Sequence, residues 1–130
     1  MKEEHRELLE ELQPARRVLV VDDHPSFRRC ARALLEAEGF DVVGEAENGT
    51  AALELAEQLE PELVLVDVQL PDLDGFEVTT RLLAREPRLK VVLVSSRDRS
   101  AYGPLIEQSG ARGFVSKADL SGEALERLAR

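Results

Sequence analysis

The sequence predicts an α/β domain in which a parallel sheet of five strands is covered by helices on both faces. Two observations carry that expectation. Short Val-rich runs of strand length alternate along the chain with longer segments of helical period. The runs are also mostly continuous rather than alternating apolar and polar, which is the pattern of strands buried on both faces.

The first run is RVLVV at 17–21, and it stops at Asp22 and Asp23. A helix is expected over Ser26–Glu38, with Pro25 at its start and Gly39 as its stop. Phe27, Cys30, Ala31, Leu34 and Leu35 then share a face, which makes Cys30 a buried position. FDVVGEA at 40–46 is the second strand, and Asn48–Gln58, closed by Pro61, the second helix. ELVLV at 62–66 is the third strand and runs directly into Asp67. PDLDG follows, in which Pro71 and Gly75 shape a tight loop that leaves Asp67 exposed at the start of a third helix, Gly75–Arg85. KVVLVS at 90–95 is the fourth strand, Ser100–Ser109 the fourth helix with Gly110 as its stop, ARGFVS at 111–116 the fifth strand and Leu120–Arg130 the last helix. Right-handed crossovers make the doubly wound, flavodoxin-like sheet of order 2-1-3-4-5 the simplest way to join these units.

Residues 1–15 stand outside the alternation as an N-terminal extension to a domain at 16–130. Leu8, Leu9 and Leu12 put a weak apolar stripe on a short helix ending near Pro14, and a docked helix and a solvated tail are both open readings.

Composition narrows the function classes. A chain of 130 residues with 43% hydrophobic content builds one core. A formal charge of −9, from 17 Lys and Arg against 26 Asp and Glu, argues against a broad basic face for nucleic acid, so any contact with DNA would have to be made by residues elsewhere. A single cysteine, Cys30, allows no internal disulfide and fits a reducing compartment. No apolar run approaches the roughly 20 residues of a membrane span, and the N-terminus is too charged for a secretory signal, so the expected location is the cytoplasm, without membrane contact.

The candidate site lies at the C-terminal ends of the strands, where open α/β sheets collect functional groups. Asp22 and Asp23 alone would read as helix-capping residues. With Asp67 at the end of the third strand, which neighbours the first in this order, three carboxylates converge on one crevice, and magnesium is the cation their oxygens suit. Ser95 ends the fourth strand and Lys117 follows the fifth, adding a hydroxyl and an ammonium. Acids and a metal on one side, with a hydroxyl and a fixed positive charge on the other, suit a phosphoryl group that one carboxylate attacks. His24 is set aside as a loop residue, because magnesium prefers oxygen.

At VVDDHPSFRR, LVLVDVQLPDLDGFEV, VVLVSS and GFVSKADL, in that order and approximate spacing, the sequence resembles the CheY-like receiver domains of two-component response regulators over residues 16–130. The resemblance implies that Asp67 accepts a phosphoryl group from a sensor histidine kinase, and that Asp22, Asp23, Asp67 and the Gln69 backbone carbonyl hold Mg2+. It implies that Ser95 and Lys117 receive the phosphoryl oxygens, and that Phe114 is an aromatic switch reshaping the face of the fourth helix, fifth strand and fifth helix, through which a homodimer could form. Gln69 and Arg97 fall where the family tunes the phosphoryl group's lifetime. Ser95 in place of the frequent Thr, and Ala118 in place of the proline that often follows the lysine, resemble the NarL and FixJ subfamily, whose receivers usually precede a DNA-binding helix-turn-helix. The sequence is then a stand-alone receiver or a piece of a longer regulator. Its implied role is signalling rather than enzymatic, with phosphorylation and dephosphorylation of the domain itself as its chemistry.

Two rivals come from other classes. A phosphatase of the haloacid dehalogenase type would need a second acid two residues after the nucleophile, where this chain has Gln69. A receiver that acts without phosphorylation, as a fixed protein-interaction module, is the other.

Overall fold

In the computed structural model, residues 16–129 are described. Strands β1 (Arg17–Val21), β2 (Asp41–Ala46), β3 (Leu63–Asp67), β4 (Lys90–Ser95) and β5 (Gly113–Ser116) form one parallel sheet in the order β2-β1-β3-β4-β5. The expected topology is observed.

Alternate residues of the central strands separate into two cores, as the period of two requires. Val18, Val20, Leu63, Leu65, Val92 and Val94 pack on one face with Ala31 and Leu35 of α1 (Pro25–Ala37) and with Leu125 and Ala129 of α5 (Gly122–Ala129). Leu19, Val21, Val64, Val66, Val91 and Leu93 pack on the other. Their partners there are Ala52 of α2 (Gly49–Leu59), Val78 and Leu82 of α3 (Gly75–Arg85) and Ile106 of α4 (Leu105–Ser109). Each fully buried Val or Leu contributes about 1.5–3 kcal/mol, so β1, β3 and β4 form the rigid beam on whose ends the polar groups sit.

Four local expectations are corrected. The helix expected over Ser100–Ser109 is a 3-10 turn at Arg99–Ala101 followed by the short α4, because Gly103 takes a left-handed φ of 55° and Pro104 has no N–H to continue a helix. The last helix begins at Gly122 rather than Leu120; Leu120 is extended, and the Ser121 hydroxyl accepts a hydrogen bond from the Ala124 N–H at 3.0 Å. Cys30 is exposed. The buried line of α1 runs Phe27, Ala31, Leu35 at four-residue spacing, and Cys30 lies about 100° round the helix from Ala31. Asp67, expected to be exposed, is only 3% so. The stretch around Leu8, Leu9 and Leu12, open to reading as a docked helix or a solvated tail, lies outside the described residues. No helix among the described residues is long and apolar enough to cross a membrane.

The loop between β3 and α3 is pinned at two points, Gly75, which the sequence marks as shaping the turn, and Asp72, which it does not single out. The Gly75 N–H donates to the Val68 carbonyl at 2.8 Å, and a Cβ at Gly75 would stand 2.5 Å from the Asp67 carbonyl oxygen. Only glycine lets the start of α3 approach the end of β3 this closely. Asp72 reaches across to α2, where its carboxylate accepts from the Gly49 and Thr50 N–H groups at 2.7 and 2.9 Å and from the Thr50 hydroxyl at 2.7 Å. Asn48 caps the same helix end, accepting from the Ala51 N–H at 2.8 Å. The Asp72 carboxyl is held well below the usual carboxylate range, chiefly by the Thr50 hydroxyl.

Two outcomes are expected in urea denaturation. Gly75→Ala destabilises the fold by about 1–3 kcal/mol, the range for forcing a methyl group into filled space. Asp72→Ala lowers stability by about 1 kcal/mol, as for loss of a helix cap, with an unchanged denaturant slope.

Candidate functional site

The strand order decides which polar ends meet. β1 and β3 are adjacent while their connections leave toward opposite faces, which opens a crevice at their C-terminal ends. Asp22 follows β1 and is fully buried; Asp67 is the last residue of β3. Lys117, one residue beyond β5, lays its Nζ 2.7 Å from Asp22 Oδ2 and 3.2 Å from Asp67 Oδ2. Beneath the ammonium, 4.4 Å from Nζ, lies the Phe27 ring centroid, a cation–π contact from the first turn of α1. Asp23 sits at the rim, and His24 Nδ1 lies 3.0 Å from Asp22 Oδ1 and 3.1 Å from Asp23 Oδ1. Asp22 Oδ1 also accepts the His24 backbone N–H at 2.8 Å, and Asp67 Oδ1 accepts the Gln69 N–H at 3.0 Å.

The electrostatics follow from burial and from one shared cation. Burial pushes the Asp67 carboxyl up, and the neighbouring Asp22 charge adds to it; the Gln69 N–H and Lys117 offset only part of this, leaving the group at about 6. Burial acts on Asp22 in the same sense, but hydrogen bonds from Lys117 and the His24 N–H outweigh it and hold that carboxyl below the ordinary value. Lys117 is likewise desolvated, yet the two carboxylates keep its ammonium firmly charged, above the ordinary lysine range. Three carboxylates less one ammonium leave two negative charges uncompensated. One ligand atom from each of Asp22, Asp23, His24 and Asp67 lies within 4.8 Å of the others. This cluster could hold a divalent metal ion, and its carboxylate oxygens favour a hard one.

The remaining candidates stand apart from the carboxylates. Ser95 is fully buried at the end of β4, and its hydroxyl bonds the Tyr102 hydroxyl at 2.5 Å while accepting the Arg97 N–H at 3.1 Å. Arg97 itself is exposed and enters the site only through its backbone. Phe114 is half-buried, with its ring 5.8 Å from that of Tyr102. Tyr102, Phe27 and His24 are the contributors that sequence reasoning missed or set aside. Phe27 read as core because it lies on the apolar face of α1, and a single aromatic in the polar stretch RDRSAYG was the only sign of Tyr102.

The family model for the response regulator receiver domain matches residues 18–129. A putative transcriptional regulator of Pseudomonas aeruginosa is 41% identical over 109 residues, which are 84% of this chain and 53% of that protein. The virulence factors putative positive transcription regulator BvgA of Bordetella pertussis is 42% identical over 101 residues, 78% of this chain and 48% of that one. The chain thus spans about half the length of these relatives. Among solved structures, the signal receiver domain of the putative response regulator NarL from Mycobacterium tuberculosis superposes with a TM-score of 0.80 at 37% identity, covering 90% of this chain and 98% of that one.

The raised Asp67 carboxyl sets a pH dependence. Its folded value of about 6 lies above the ordinary 3.8, so ionising it costs the folded state stability at all pH above about 6, and the cost disappears as pH falls toward 3.8. Asp67→Asn is therefore expected to raise the thermal midpoint near neutral pH, without divalent cations, by an increment that shrinks as pH falls from about 6 toward 4. Melting curves of both proteins across that interval test it.

Proposed function

The chain belongs to the response regulator receiver domain family, and on that premise we propose that it is the phosphoacceptor domain of a two-component signalling pathway in the cytoplasm, with Asp67 as acceptor. The observation that carries the proposal is the buried Asp67 carboxylate, which shares the Lys117 ammonium with Asp22 and is ringed by further oxygen donors. In the reaction, a carboxylate oxygen of Asp67 attacks the phosphorus of a kinase phosphohistidine. The P–N bond breaks, its electron pair leaves with the imidazole, and the product is an acyl phosphate on Asp67.

Each neighbour has a task in that step. Asp22, Asp23, Asp67 and the Gln69 backbone carbonyl would hold magnesium, for which the donor chemistry of the cluster is suited. When bound, magnesium supplies the positive charge that neutralises the incoming phosphoryl oxygens. Lys117 turns its ammonium from Asp67 toward a phosphoryl oxygen while keeping Asp22. Ser95 donates its hydroxyl to another oxygen, and Phe114, packed against Tyr102, follows. Gln69 and Arg97 shape water's access to the acyl phosphate. Asp67 must be ionised to attack, and a bound cation would favour the charged form that burial and the Asp22 charge disfavour in the metal-free site.

The output is proposed to be transcriptional, as the names of the relatives indicate, through a DNA-binding domain other than residues 16–129; the charge of −9 supports assigning DNA contact elsewhere. The face of α4, β5 and α5 is the proposed surface for this control and for a phosphorylation-dependent homodimer.

Intact mass after incubation with magnesium and acetyl phosphate tests the acceptor. Wild type is expected to gain a single phosphoryl group that is absent from Asp67→Asn and from chelated samples. No adduct on folded wild type would leave a phosphorylation-independent interaction module as the function. In Arg97→Ala the acyl phosphate is expected to decay faster, and an unchanged half-life would remove Arg97 from the lifetime argument.

A further inference from the structure

Ser95 ends β4 fully buried, and its hydroxyl is already engaged. Among the described residues its partners are the Tyr102 hydroxyl and the Arg97 N–H, neither of them a member of the carboxylate cluster. Staggered wells of a serine side chain lie about 120° apart, so turning the hydroxyl from one direction to another moves Oγ by about 2 Å. A bond of 2.5 Å to Tyr102 does not survive such a move.

Tyr102 is the anchor of a long connection. Of residues 96–105 it alone is not exposed. Its ring is wedged between Phe76 of α3, at 5.5 Å edge-on, and Phe114 of β5, at 5.8 Å. The backbone bonds of this stretch are local: Ala101 to Asp98, Tyr102 to Arg99, Leu105 to Tyr102. Gly103 is left-handed and Pro104 lacks an N–H, so no helix carries rigidity from α4 back into it. The stretch ends in Leu105, a large hydrophobic residue that is 47% exposed. Phe114 has no hydroxyl and can follow events at Ser95 only by packing, which leaves Tyr102 as the aromatic with a polar tie to Ser95.

We propose that Tyr102 is a positioning residue that latches the 96–105 connection to the Ser95 hydroxyl in the resting chain and frees it when that hydroxyl turns toward the acceptor. The regulatory half of this proposal rests on the function proposed above; the latch itself does not. The element that responds is then the whole β4–α4 connection with Leu105 at its end, and the phenol reports on Ser95 directly.

Two measurements test it, and the chain contains one tyrosine and no tryptophan, so its intrinsic emission comes from Tyr102 alone. In the first, hydrogen exchange of the resting chain is compared between wild type, Tyr102→Phe and Ser95→Ala. Both variants are expected to exchange about five-fold faster over 96–105, the equilibrium factor of one net hydrogen bond, with the central strands unchanged. Unaltered exchange in Tyr102→Phe, which keeps the ring and removes only the hydroxyl, overturns the latch. In the second, tyrosine emission is followed on addition of magnesium and acetyl phosphate. It is expected to change in wild type in step with the mass adduct and to stay constant in Ser95→Ala. Constant emission in wild type that has demonstrably gained the phosphoryl group overturns the coupling. Absence of any adduct overturns the parent function instead, and the exchange comparison then decides the latch by itself.

Discussion

One ammonium group shared between two buried carboxylates is the contact on which the functional end of this molecule depends. Lys117 lies between Asp22, which follows β1, and Asp67, which ends β3, and apart from Arg17 the residues of both strands are buried. Without Lys117, Asp22 and Asp67 would lose the cation they share, a loss of the kind that costs about 3–5 kcal/mol for a broken buried ion pair. With it, the balance is still incomplete, since the third acid, Asp23, has no share in that cation. The site therefore stores unfavourable charge that an incoming cation relieves. Burial raises the Asp67 carboxyl and the Asp22 charge adds to it, while hydrogen bonds from Lys117 and the His24 N–H hold the Asp22 carboxyl low.

The rest of the structure can be understood as support for this arrangement. The two cores immobilise β1, β3 and β4, so the distance between Asp22 and Asp67 is set by strand spacing rather than by flexible loops. From below, Phe27 holds the ammonium, while Arg28 donates to the Asp22 carbonyl at 2.6 Å and steadies the residue from its backbone side. Rigidity falls off toward β5, where the 3-10 turn and the five-residue α4 replace a full helix. The molecule thus has one stiff side that fixes the acids and one loosely built side that can answer to them.

Much of this was legible in the sequence because it is written in residue types that admit few other uses. Continuous Val-rich runs gave the parallel sheet, and acids, Ser95 and Lys117 placed just after those runs gave the crevice. What escaped was whatever depends on rotamer and direction. The apolar spacing of α1 takes in Cys30 as well as Ala31, whereas the buried line passes through Ala31 and leaves Cys30 exposed. Ser95 was placed correctly on its strand, yet nothing in the sequence shows that its hydroxyl bonds Tyr102, seven residues on and beyond a turn. Gly103 and Pro104 interrupt the helical period that runs across 100–109. Asp67 reads as exposed because a loop follows it; in the fold it is the last residue of the buried strand β3, with Lys117, fifty residues away, bonded to its carboxylate.

The bridge from Asp72 to the start of α2 has an evolutionary reading. It ties two loops that are distant in sequence, through one carboxylate and the two residues Gly49 and Thr50. Neither loop can drift alone: a change at Asp72 leaves donors at the end of α2 without an acceptor, and a bulkier residue at Gly49 would meet the Leu73 side chain at 2.9 Å. Substitutions on the two sides are expected to be accepted in pairs, so chimaeras that exchange the β3–α3 loop between relatives should work best when the first turn of α2 travels with it.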